Sequence, residues 1–81
     1  MTVGYDVRVT VTMRSSPRPH ELEVLADQFE AVEHDPGSTT VKIIEHVAVS
    51  DEADAVAFVR LLVAERLPAG STITEVTSTA D

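Results

Sequence analysis

The sequence predicts an α/β fold, a two-layer sandwich of the order β-α-β-α-β. It has a three-stranded, mostly parallel sheet with two helices on one face. Three observations lead there. Residues Val3 to Met13 alternate without error, with Val3, Tyr5, Val7, Val9, Val11 and Met13 on one side and Gly4, Asp6, Arg8, Thr10 and Thr12 on the other. That is the period of a half-buried strand rich in β-branched residues. Two later segments show helical spacing of apolar residues, each bounded by start and stop signals. Strand–helix–strand connections of this length imply parallel neighbours joined by right-handed crossovers, and two crossovers of one hand place both helices on one face.

The first strand is broken by Ser15-Ser16-Pro17-Arg18-Pro19, which also starts the first helix, with Ser16 as its expected N-cap and proline in the first turn. This helix is expected to run to about Glu33 and to stop at His34-Asp35-Pro36-Gly37. Leu22, Leu25, Phe29 and Val32 would form its packed side. The second strand spans Thr39 to Val49, with Val41, Ile43, Val47 and Val49 on one face and Lys42, Ile44, His46 and Ala48 on the other. Glu45 interrupts the apolar row, and a β-bulge there would re-aim its carboxylate. A rival ferredoxin-like order, βαββαβ, splits residues 39–49 into a hairpin. Its turn would then fall at Glu45-His46, where no Gly, Asn, Asp or Pro helps it.

Ser50-Asp51-Glu52-Ala53-Asp54 is a strong helix start, with a cap and acids in the first turn. The second helix continues through Leu67 and ends at Pro68-Ala69-Gly70, with Ala55, Phe58, Val59, Leu62 and Val63 expected to face the sheet. Ala57, Leu61 and Ala64 are left over on its back, more apolar surface than a helix with one wet side carries. They are the expected oligomer interface. The last strand, about Ser71 to Thr77, is mostly Ser and Thr, which suits a polar edge. Strand length points the same way as the surplus apolar residues. At about 3.3 Å per residue, eleven-residue strands span roughly 36 Å, whereas a seventeen-residue helix spans about 25 Å. The overhang must bend, fray or pair with another copy.

Composition narrows the function classes. A chain of 81 residues reads as a single small domain, residues 1–81, with little room for a deep internal active site. Fourteen acids against six bases give a net charge of −8, which disfavours nucleic acid and anionic membranes and suits basic partners. The absence of cysteine rules out disulfides, thiolate metal sites and a cysteine nucleophile. No apolar run approaches membrane-spanning length, and the first residues lack signal-peptide character, so the expected location is the cytoplasm. Arg outnumbers Lys five to one and Asn is absent, a bias associated with GC-rich bacterial or phage genomes.

Two surfaces stand out as candidate sites. On the first helix His20, Glu23, Asp27, Glu30 and His34 share one stripe, within a stretch from His20 to Asp35 that has six acids and no Lys or Arg. The stripe reads as an outward acidic interaction face with titrating histidines. The spacing of Glu30 and His34 also allows a two-ligand metal contact, but no third ligand is implied, and neither a metal nor a cofactor is expected. On the open sheet face Arg8, Arg14, Lys42 and His46 would gather as a cationic counterpart. Glu45 in its apolar row is a candidate for a raised pKa. There is no Gly-rich phosphate loop, HExxH or nucleophile elbow, and the balance of the sequence is against an enzyme.

The leading expectation is a small acidic, non-enzymatic protein–protein interaction domain that homo-oligomerises, as a dimer or higher, and meets a basic protein through its acidic helix. One alternative is an acidic nucleic-acid mimic or inhibitor-type accessory protein of bacterial or phage origin. Another is a small His/Glu metal-binding protein or enzyme with its site at a subunit interface.

Overall fold

The strict alternation of the first segment does produce a strand, but the sheet around it is assembled differently from the expectation. The computed structural model describes residues 3–67 and 69–80. In chain order the elements are β1 (Val3–Thr12), α1 (Pro19–Gln28), β2 (Ala31–His34), β3 (Thr40–Val49), α2 (Glu52–Arg66) and β4 (Thr72–Ala80). The four strands lie in the order β2-β3-β1-β4 and every neighbouring pair is antiparallel. The expected three-stranded, mostly parallel sheet is therefore incorrect.

The extra strand comes from the end of the expected first helix. Asp35-Pro36-Gly37-Ser38 is a hairpin turn rather than a helix stop. The Ser38 N–H donates to the Asp35 carbonyl at 3.0 Å and Gly37 has φ +81°. Pro at the second turn position and a left-handed Gly at the third are the type II pattern. That turn folds Ala31–His34 back onto β3, pairing Ala31 with Ile44, Val32 with Ile43, Glu33 with Lys42 and His34 with Val41. The element order is thus βαββαβ, but β3 is not split; it remains one unbroken strand of ten residues. The arrangement is two interleaved split β-α-β units. β1 and β2 run the same way with β3 inserted between them, and β3 and β4 run the same way with β1 between them.

Both helices pack on the same sheet face, because their buried residues join one core with the inward side of β1. That core contains Tyr5, Val7, Val9, Val11, Met13, Val41 and Ile43 from β1, its end and β3, Leu25 from α1 and Phe29 from its C-cap, and Ala55, Val59 and Val63 from α2. The α1 N-cap is Arg18 rather than Ser16, with Pro19 as the first helical residue. The Arg18 N–H donates to Glu21 Oε1 at 3.1 Å, which satisfies one otherwise unpaired donor at the helix start. At α2, Asp51 Oδ1 accepts the Asp54 N–H at 2.9 Å.

Two local expectations also change. No bulge occurs at Glu45: the β1–β3 register runs without a shift from Val3 opposite Val49 to Thr12 opposite Thr40. The irregularity falls in β4, where Thr10 pairs with Glu75 and Val11 with Ile73, so Thr74 is the extra residue. Its hydroxyl donates to the Thr10 carbonyl at 3.2 Å. β4 also extends to Ala80 instead of ending near Thr77. Pro68, expected to help stop α2, lies outside the described residues, as do residues 1, 2 and 81.

The strands do outrun α1. Ten residues of helix span about 15 Å and ten of strand about 33 Å, so α1 cannot cover a strand from end to end, and Val3, Val47 and Val49 are only half-buried. The result is an elongated body of 41 × 18 × 18 Å.

Candidate functional site

Because β2 replaces the last turns of the expected helix, the acidic stripe does not exist as one helical face. His20, Glu23 and Asp27 are exposed on α1, Glu30 lies in the bend after it, and His34 is on β2. Glu30 and His34 are therefore not one helical turn apart. The His34 Nε2–H donates to the Ser38 carbonyl at 2.7 Å and so ties the ring to the hairpin turn. Glu23 and His34 do come together, along a shallow groove of about 300 Å³ with Leu22, Ala26 and Val32. No group of three or more His, Asp or Glu side chains suited to a metal ion occurs among the described residues.

Glu30 turns instead toward β3. Its Oε2 accepts the His46 N–H at 3.0 Å, closing a backbone donor on the stretch of β3 that β2 does not reach. Glu45 is half-buried beside it on the helix-facing side of β3. Burial, and then the Glu30 carboxylate, raise the Glu45 pKa above 4.5, while the backbone amides of His46 and Glu30 pull the other way. This is a tense pair of acids at the end of α1, without a nucleophile or a third titrating partner in the described contacts.

The open sheet face is mixed rather than cationic. Arg8, Lys42 and His46 are exposed there, but the register puts Asp6, Glu33 and Glu75 on the same face. His46 Nδ1 lies 2.9 Å from Asp6 Oδ1. Arg14 is not on this face at all. It follows the end of β1 and packs over Gly70 in the α2–β4 loop. The expected cationic face built of Arg8, Arg14, Lys42 and His46 is thus corrected on two counts, a missing member and two acids, Glu33 and Glu75, added to the Asp6 already expected there.

The surplus apolar surface of α2 remains. Ala55, Val59 and Val63, spaced four apart, are fully buried and fix which side faces the sheet. Phe58 stands about 100° round from Val59 and is 54% exposed, so its expected sheet-facing position is wrong. Leu61 is 62% exposed. Ala57, Leu61 and Ala64 line an open groove of about 860 Å³ together with Arg60, Leu67 and Ile73. Sequence reasoning found the three helix residues through the scarcity of charge on α2. It missed Leu67 and Ile73, which reach the groove only because β4 lies beside the helix.

Among the described residues β4 is an edge strand with no neighbouring strand on its outer side. The groove and the free strand edge therefore lie on the same flank of the molecule. No protein-family model, curated protein or solved structure matches the chain. No helix among the described residues is long and apolar enough to cross a membrane.

Proposed function

We propose that this chain is a small, non-enzymatic protein–protein interaction domain that self-associates through the outer side of α2. One observation carries the reading: Leu61, 62% exposed, projects beside an apolar groove that Ala57 and Ala64 extend along the helix. A large apolar side chain left in water gives up about 1.5–3 kcal/mol that burial would return, and a partner surface supplies that burial. The location that fits a cysteine-free acidic chain is the cytoplasm.

Light scattering on the eluting peak, across a concentration series, tests it. The expected mass is a multiple of the 8.7 kDa chain, and Leu61→Glu is expected to shift the protein to the monomer without loss of helical signal. A monomeric mass for the unaltered chain at every concentration overturns the reading. A separate, basic partner is proposed for the exposed carboxylates of α1, Glu23 and Asp27. If Glu23→Lys/Asp27→Lys retains every protein that the unaltered chain captures, that second contact does not exist.

A further inference from the structure

We propose that the partner at this flank is a second copy of the chain, docked strand to strand. Two β4 strands would pair antiparallel about a two-fold axis near Val76. The two four-stranded sheets would then become one sheet of eight, with the α2 helices side by side above it. This deepens the self-association reading and rests on it.

The edges of the sheet give the first argument. β2 forms the opposite edge with only four residues, and where it ends the Glu30 carboxylate takes the exposed His46 N–H. That edge is short and blunted. β4 offers nine residues, Thr72–Ala80, with no Lys and no Pro and a single charge, Glu75. Long edge strands without these protections are templates for another strand. Only the Thr74 bulge disturbs its regularity.

Charge selects the second copy over other partners. The chain carries −8 overall, but α2 and β4 together contain four acids, Glu52, Asp54, Glu65 and Glu75, and two bases, Arg60 and Arg66. Most of the excess acid lies elsewhere. Two identical acidic molecules repel less through this flank than through α1, and a basic protein finds more surplus carboxylate on α1.

Geometry supplies the third argument. A two-fold axis that joins strand edges also joins the layers above them, so both exposed features are covered by one operation. α2 connects β3 to β4 across β1, and the side of it nearest β4 carries Ala57, Arg60 and Ala64. The two alanines leave room beside the helix, and Arg60 has a stem long enough to carry its charge out to solvent. Phe58, on the other flank of α2, takes no part.

The absence of cysteine makes the test clean, since nitroxide labels can be placed on single cysteines introduced at Thr72, Thr77 and Thr79, all exposed. Each residue of displacement from a two-fold axis adds about 6.6 Å between equivalent positions, twice the strand rise, on top of a strand spacing of about 4.8 Å. Dipolar EPR is expected to find the two copies of Thr77 closest, with Cα separations of about 8 Å. Thr79 should then give about 20 Å and Thr72 about 27 Å. Any other order overturns the pairing about Val76. If light scattering still shows a dimer in that case, self-association stands and only the pairing falls; a monomer overturns both.

Discussion

Gly70→Ala tests the packing that takes Arg14 off the sheet face. Gly70 has φ +89°, so any β-carbon there is strained by about 1–2 kcal/mol whatever surrounds it. A β-carbon would also stand 2.6 Å from Arg14 Nε, 2.8 Å from Cδ and 3.0 Å from Cγ. Those atoms belong to a flexible side chain, so Arg14 withdraws rather than blocking the fold, at a cost of about 0.5–1.5 kcal/mol for a displaced rotamer. Gly37 is the control, because its φ of +81° imposes similar strain and no atom lies within 4 Å of a β-carbon there. Urea denaturation should therefore show Gly37→Ala destabilised by about 1–2 kcal/mol and Gly70→Ala by roughly 1 kcal/mol more. In an Arg14→Ala background the two costs should become equal, a coupling that a double-mutant cycle reads directly. All measurements need one protein concentration, since self-association adds a mass-action contribution to stability. Equal costs in the unaltered background would show that Arg14 does not cover Gly70. An excess that survives Arg14→Ala would place the obstacle elsewhere.

Glu45→Gln should stabilise the protein at neutral pH. The raised folded pKa means the native state keeps a proton that the unfolded state releases above 4.5, so stability falls as pH rises through that window and the loss is complete above the folded pKa. Urea midpoints should coincide near pH 3.5 and separate in favour of the variant at pH 7; no separation contradicts the burial and Glu30 repulsion assigned to this side chain. Ile43 is fully buried and Ile44 points to the open face, so Ile43→Ala should cost about 2–5 kcal/mol and Ile44→Ala about 1 kcal/mol or less. Similar costs would mean that β3 is out of register. Asp51→Ala removes the cap on Asp54 N–H and should cost about 1 kcal/mol, measured by the same unfolding curves; a change within error would leave the cap without energetic weight.

β1 was legible because its pattern admits one reading. A strict period of two over eleven residues cannot be laid on a helix without putting Asp6 and Arg8 into the core. The segment Phe29–His34 admits two readings. Leu22, Leu25, Phe29 and Val32 stand three or four apart and suit a helix, yet Val32 and His34 against Ala31 and Glu33 also alternate. Four residues carry too little local preference to decide, and the deciding contact lies outside the segment: the ladder to Val41–Ile44 on β3, across the Asp35–Ser38 turn. With that ladder the acidic stripe dissolves, because Glu30 and His34 leave the helix. The parallel sheet failed for a different reason. A helical crossover establishes that two strands run the same way, not that they touch, and here each such pair has a third strand between its members.

The same distinction explains why the candidate interface was only half legible. A helix whose back carries Ala57, Leu61 and Ala64 has more apolar surface than one sheet can cover, and this follows from spacing alone. What that surface sits beside depends on strand order. In a three-stranded parallel sheet, β4 would have been one more polar edge, remote in meaning from the helix. In the order β2-β3-β1-β4 the blunted edge and the bare edge are at opposite ends, and the surplus apolar face of α2 leans over the bare one. Two unprotected features on one flank are more economically explained by one partner than by two separate defects, and the partner we propose, one that offers both a strand edge and an apolar helix side, is most simply the chain itself.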